Sequence, residues 1–334
     1  MTRKILLGGI AAMALGAAFA LPAQAGAILD NGTIQIGVND EGHLNTPFAG
    51  DPLGIGFMGL RYKPTGAAST EPGCQCEGWG VSNGTISGGA NVSSDSGAFG
   101  LTLTSFTSTD GFLTNAKSVV NVGGVFEVSH DYHPSLSDNL FQVDVTIKNI
   151  SGSDQTALYR RVMDWDIYPT PFSEFVTIVN SSPVVFRTDT NGFNSANPLS
   201  FSTFVAGPSA SNGYTNIIDL GPSDHGALFD FNFGTLLPDA TQAFTTFYGA
   251  AANEAGAISA LALVGAENVY SLGKCNPSNP ACTLPEGAPN TFIFAFKGVG
   301  GTVVTDHVPE PATLTLLGAG LAGIGAMVRR RKAA

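Results

Sequence analysis

Two carboxylates one residue apart are the first side chains able to do chemistry. Asp164 and Asp166 lie in Tyr159-Arg160-Arg161-Val162-Met163-Asp164-Trp165-Asp166-Ile167-Tyr168-Pro169. On a strand, side chains alternate, so Asp164 and Asp166 share a face with Arg160 and Val162, while Arg161, Met163 and Trp165 share the other. Three chemistries fit that pattern. Arg160 and Asp164 can approach the acids of a neighbouring strand and form a buried or half-buried ion-pair network. Asp164 and Asp166, beside an aromatic ring, can coordinate calcium or grip sugar hydroxyls. Either acid can also work against Glu174 or Glu77 as a glycosidase pair, which requires a defined carboxyl separation that a sequence does not give.

Other groups offer less. Glu77-Gly78-Trp79-Gly80 reads as a tethered loop beside Cys74 and Cys76, with Trp79 either exposed for stacking on a sugar or plugging the end of the fold. Trp79 and Trp165 are therefore the candidate glycan contacts. His130-Asp131-Tyr132-His133-Pro134 puts His130 and Tyr132 on one strand face and Asp131 and His133 on the other, so the imidazoles do not converge on a metal. Asp224-His225-Gly226 follows Gly221-Pro222 in a turn and could serve a distant serine. Asp189-Thr190-Asn191-Gly192-Phe193-Asn194 has the acid–amide–glycine look of a calcium loop, but it lacks the later glutamate of an EF-hand, and an Asn-Gly turn is the simpler reading. No catalytic or cofactor-binding residue is assigned, and calcium at Asp164 and Asp166 is the sole metal candidate.

The four cysteines, Cys74, Cys76, Cys275 and Cys282, allow three pairings. Cys275 and Cys282 flank Asn276-Pro277-Ser278-Asn279-Pro280-Ala281, a turn-rich loop that a local bridge closes well, leaving Cys74 to pair with Cys76 in a tight ring. Long bridges between the two ends of the body are the alternative. The spacings Cys-x-Cys and Cys-x6-Cys are a poor match to a zinc site.

These residues must be positioned by strands. Leu101–Thr107 alternates apolar and hydroxyl residues, as a half-buried strand does, and Phe141–Lys148 alternates as cleanly. Val119–His130, with Gly123-Gly124 as a bulge or bend, Phe141–Lys148 and Ala157–Ile167 are expected to form an antiparallel meander. Further strands are expected at Ile28–Val38, Ile55–Tyr62, Phe175–Val179, Val184–Thr188, Phe201–Val205, Ala227–Phe233, Gln242–Gly249, Thr291–Phe296 and Gly298–Thr305. Gly84–Ser96 reads as a loop. Asn253 can cap a helix over Glu254–Ala266, with Ile258, Leu261 and Leu263 or Val264 on one face. The expected fold is all-β: one large antiparallel β-sandwich over residues 26–306 with one short helix. The stretch Phe141–Ser151 followed by Arg160–Asp166 resembles bacterial extracellular β-sandwich modules in general, and that likeness implies no catalytic residue.

Composition narrows the partners. Nine of the fifteen Lys and Arg and twenty-five of the twenty-six acids fall within 26–306, a net charge of −16. A surface that acidic repels phosphate backbones, so nucleic acid is excluded as a partner.

The two ends carry processing signals. Arg3 and Lys4 precede the apolar run Ile5–Leu21, and Ala23-Gln24-Ala25 is a small-x-small cleavage site, so residues 1–25 read as a signal peptide served by the Sec translocon and signal peptidase. At the other end Pro309-Glu310-Pro311 precedes an uncharged run, 312–328, then Arg329-Arg330-Arg331-Lys332. Such a run spans roughly 25 Å as a helix, enough for a short transmembrane helix, and the basic residues after it resist translocation. Residues 307–334 resemble the PEP-CTERM sorting signal of Gram-negative bacteria in all three parts. That resemblance implies recognition by an exosortase-type membrane transpeptidase, cleavage near 309–311 and transfer from the inner membrane to the cell surface or the exopolysaccharide matrix. Lipid-anchor signals also end in an apolar tail but lack the basic cluster. The expectation is a non-enzymatic exported surface or matrix component. The alternative is a carbohydrate-binding or carbohydrate-active sandwich with extracellular polysaccharide as partner.

Overall fold

The computed structural model describes residues 26–109, 115–202, 216–282 and 290–305. Among them the strands are, in chain order, β1 (Ala27–Asp30), β2 (Ile34–Val38), β3 (Thr46–Pro47), β4 (Phe57–Met58), β5 (Leu60–Tyr62), β6 (Ala67–Ser69), β7 (Gly78–Ser82), β8 (Ser87–Asn91), β9 (Gly97–Phe99) and β10 (Leu101–Ser108). They continue with β11 (Ala116–Val122), β12 (Phe126–Pro134), β13 (Leu140–Asn149), β14 (Gln155–Asp164), β15 (Glu174–Asn180), β16 (Val185–Asp189), β17 (Ile217–Ser223), β18 (Gly226–Leu236) and β19 (Thr241–Ala251). Helix α1 (Glu254–Val264) and strands β20 (Val269–Lys274) and β21 (Thr291–Lys297) complete the order.

Two large sheets form the sandwich. The first has the order β10-β11-β12-β13-β19-β21-β20-β15-β17, the second β16-β18-β14-β7-β8-β9; β1-β2-β5-β6 and β3-β4 are smaller. Neighbouring strands run antiparallel. The period-two pattern explains the first sheet: Phe141, Val143, Val145 and Ile147 of β13 are buried while Gln142, Asp144, Thr146 and Lys148 are not. The inward residues meet an aromatic cluster from the second sheet. Phe229 of β18 packs edge-on to Phe294 and Phe296 of β21 at 5.6 and 5.2 Å, and Tyr159 of β14 meets Phe244 of β19 at 5.1 Å. Fully burying each such ring stabilises by about 1.5–3 kcal/mol.

Helix α1 covers the outer face of the first sheet, with Ala257, Ala260, Leu261 and Val264 packed in a cluster with Leu140, Phe247, Leu272 and Ile293. The Asn253 side chain caps it by accepting from Gly256 N–H at 2.9 Å, and Gly265 ends it at φ 65°. Leu263 points to solvent.

Several expectations change. Gly123 and Gly124, both at positive φ, make the turn between β11 and β12, so Val119–His130 is a hairpin and not one bulged strand. Asn31 and Gly32 likewise divide Ile28–Val38. The meander is β10-β11-β12-β13; β14 crosses to the second sheet between β18 and β7, because its second half is buried on both faces. Ser87–Asn91 is a strand within the expected loop, and Gly298–Thr305 contributes an isolated bridge, Glu267 to Val303. Most of Phe201–Val205 lies outside the described residues, as do the signal peptide with Ala23 and Ala25, Pro309, Glu310 and Pro311, the run 312–328 and Arg329, Arg330 and Arg331. Among the described residues no helix is long and apolar enough to cross a membrane.

Candidate functional site

Strand β14 ends at Asp164, and the alternation continues two residues on, so Asp164 and Asp166 face the same side. Their carboxylate oxygens and Cys74 Sγ lie within 4.8 Å of one another. The loop before β7 closes over them: Cys74 N–H donates to Asp166 Oδ2 at 3.0 Å. Gly73 is required there, because a Cβ would sit 2.0 Å from the same oxygen. Gly192, from the Asn-Gly turn, packs as closely: a Cβ would stand 2.5 Å from Asp164 Cα. Glu174, at the start of β15, accepts Ile167 N–H on Oε1 at 3.1 Å. Asp224, in the turn between β17 and β18, is half-buried.

The electrostatics of this group are one-sided. Asp164, Asp166 and Glu174 are each fully buried. Burial is the largest influence on Asp164, and the negative charges of Asp166 and Asp224, a hydrogen bond shared with the Asp166 carboxyl and the charge of Glu174 add to it, holding its carboxyl well above the usual range. Burial raises Asp166 as well. Glu174 is pushed up to about 9 by burial, with Asp166 and Asp224 contributing, and Asp224 to about 6 by burial and Asp166. One oxygen of each acid (Asp164 Oδ1, Asp166 Oδ1, Glu174 Oε2 and Asp224 Oδ1) is buried without a hydrogen-bond partner.

The arginines go elsewhere. Arg160 grips Asp230 of β18 through Nε at 2.6 Å and Nη2 at 2.8 Å, and its Nη1 donates to the carbonyls of Ser195 and Ser200. Arg187 joins from β16 at 3.0 Å. The expected ion-pair network on the Arg160 face is present, but Asp164 takes no part in it. On the opposite face Arg161 pairs with Glu77 at 2.7 Å, and Glu77 also accepts from Tyr248 OH at 2.8 Å and Leu44 N–H at 2.6 Å. Arg161 further donates to Tyr132 OH and Tyr159 OH. Glu77 is thereby committed to the core, while Glu174 joins Asp164 and Asp166.

The glycan candidates are sealed. Trp79 is the second residue of β7 and fully buried, not in an exposed loop. It donates to Glu41 O at 2.8 Å and lies against His130 and Tyr159. Trp165 is also fully buried and donates to Ser271 Oγ at 2.9 Å. Neither indole offers a face to a sugar, because each fills the interior between strands.

His130 and Tyr132 are buried, whereas Asp131 and His133 face outward and pair with Lys117 and Asp144. Gly80-Val81-Ser82-Asn83-Gly84 has the spelling of a hydrolase nucleophile elbow, a feature that sequence reading passed over. Here it runs from β7 into the turn before β8, not from a strand into a helix, and Ser82 Oγ donates to Ile86 O. The loop after Asp189 is a chain of side-chain-closed turns, with Asn191 N–H on Asp189 Oδ1 and Phe193 N–H on Asn191 Oδ1. The cysteines are bridged locally, Cys74 to Cys76 and Cys275 to Cys282, with Cα separations of 5.2 and 6.0 Å.

Comparison with curated proteins finds no match. Among solved structures, a galactose mutarotase related enzyme from Lactobacillus acidophilus aligns over 83% of this chain and 87% of that one, at 10% identity and a TM-score of 0.29, a likeness too slight to carry any argument. Residues 307–332 match the PEP-CTERM protein-sorting motif, and the chain thus carries a PEP-CTERM sorting signal beyond its β-rich body.

Proposed function

We propose that this chain is an exported cell-surface or extracellular-matrix component of a Gram-negative bacterium whose β-sandwich body performs no catalysis. The sorting motif at 307–332 carries the reading, since it implies processing by an exosortase and association with the surface. In this account residues 1–25 direct the chain to the Sec translocon and are removed by signal peptidase. Residues 312–328 hold it in the inner membrane, with Arg329 to Lys332 kept on the cytoplasmic side. The exosortase then cuts near Pro309-Glu310-Pro311, two of whose residues lack a backbone donor and so favour an extended, accessible segment. The body supports a structural role: its arginines at 160 and 161 are spent on internal pairs, and Trp79 and Trp165 are walled off from polysaccharide.

The test is replacement of Pro309-Glu310-Pro311 by alanines followed by cell fractionation. The unaltered chain is expected in the surface or matrix fraction and the variant in the inner membrane. Equal release of both to the surface would refute the sorting step.

A further inference from the structure

We propose that Asp164 and Asp166, with Glu174 and Asp224 around them, form a divalent-cation site suited to a hard ion such as calcium. The inference goes beyond export and sorting, and stands whether or not the tail is cut.

Three observations converge. The four acids come from three separate parts of the fold: the end of β14, the start of β15 and the turn between β17 and β18. Among the described residues, none of the four forms an ion pair with lysine, arginine or histidine, although both neighbouring arginines are engaged with other acids. An ionised carboxylate sealed from water without a counter-charge costs several kcal/mol. The fold therefore requires either bound protons or a bound cation here.

The orientation of the oxygens favours the cation. Backbone N–H groups of Cys74 and Ile167 hold Asp166 Oδ2 and Glu174 Oε1, which fixes each carboxylate and leaves its second oxygen without a protein partner. Asp164 is fully buried, and its Oδ1 is likewise unpartnered. A donor set made of carboxylate oxygens selects hard ions such as calcium or magnesium. Cys74 Sγ stands within the same group but is bonded to Cys76, so it offers no thiolate, which removes the soft donor that zinc would favour. Asp164 and Asp166 are the close pair and act as direct donors. Glu174 and half-buried Asp224 supply the surrounding charge, and Asp224 extends the group toward solvent.

The experiment uses the protein purified from whole cells, whichever fraction holds it, stripped with a chelator and titrated with calcium and separately with magnesium. Calorimetry measures binding and thermal unfolding measures stabilisation. About one ion per chain is expected, with a Tm that rises with ion concentration. Asp164→Asn combined with Asp166→Asn should abolish both effects. Glu174→Gln, which keeps the Ile167 contact, should weaken binding by roughly tenfold to a hundredfold and guards against a double variant that does not fold. Three results would overturn the site: no binding by the stripped protein, no stabilisation by either ion, or Glu174→Gln and a folded double variant binding as tightly as the unaltered chain. Protons alone would then satisfy the acids, and asparagine at 164 would leave stability unchanged or raise it.

Discussion

Arg160 and Arg161 are consecutive residues of one strand, both sealed from solvent, and each ends on a different carboxylate: Asp230 for the first, Glu77 for the second. Alternation sends them to opposite faces of the second sheet. Arg160 ties down the loop carrying Ser195 and Ser200, and Arg161 enters a core of Tyr132, Tyr159 and Tyr248.

Removing one partner of the inner pair should be costly. Glu77→Ala leaves the Arg161 guanidinium buried and uncompensated, and frees Tyr248 OH and Leu44 N–H. The expected loss is about 3–5 kcal/mol, read from urea unfolding. Replacing Glu77 and Arg161 together by methionine should cost less than the sum of the single changes, since no lone charge remains. A loss below about 1 kcal/mol for Glu77→Ala would mean that the pair contributes little.

Acid should destabilise the body through its buried imidazoles. Burial, with the Arg161 charge adding, lowers His43 to about 3, and the same causes in the same order hold His130 well below its usual 6.5. The unfolded chain takes up protons below about 6.5 while the folded chain does not, so stability present above that pH is lost as pH falls toward 3. Each histidine contributes a slope of up to about 1.4 kcal/mol per pH unit in that window. The raised carboxyls act in the opposite sense, favouring the folded state at low pH. Comparing the unaltered chain with His43→Gln therefore isolates the effect: the variant should lose less stability between neutral pH and mild acid. Parallel curves would contradict the assignment.

Helix α1 depends on its cap. Asn253→Ala removes the acceptor for Gly256 N–H and should destabilise by about 1 kcal/mol, whereas Asn253→Asp should be nearly neutral. Thermal unfolding of the two variants checks this, and equal Tm values would show that outer-face packing alone holds the helix.

The chain has two tryptophans, and both are fully buried. Fluorescence of the folded protein should be blue-shifted and resistant to a soluble quencher until denaturant is added. Polysaccharides should leave the emission unchanged. A sugar-dependent shift would restore the stacking role expected of Trp79 and Trp165.

The sequence carried part of this fold openly. Strands with one wet face, such as Leu140–Asn149, declare themselves through alternation, and Asn253 caps the helix as expected, whereas Gly265, inside the expected span Glu254–Ala266, ends it after Val264. Two of the strands that do not show in the sequence pattern, Gly78–Ser82 and Ser87–Asn91, are buried along nearly their whole length, whereas Ile217–Ser223 is largely exposed. Gly78–Ser82 has no polar alternation and is rich in glycine because Gly80 lies under Ala196 O, where a Cβ would be 2.0 Å away, so it reads as a loop. Of the two placements open to Trp79, the structure has the buried one. The pairing of Asp164 with Asp166 followed from their spacing, but the arrival of Glu174 and Asp224 depends on how β15 and the β17–β18 turn pack. No local pattern records that packing.

The central claim is that the C-terminal signal is cut. Peptide mapping by mass spectrometry of the protein extracted from the cell surface tests it most directly. The account predicts a mature chain that begins near Gly26, ends close to Pro309-Glu310-Pro311 and yields no peptide from 312–332. Recovery of surface protein still carrying that apolar run and its basic end would contradict it.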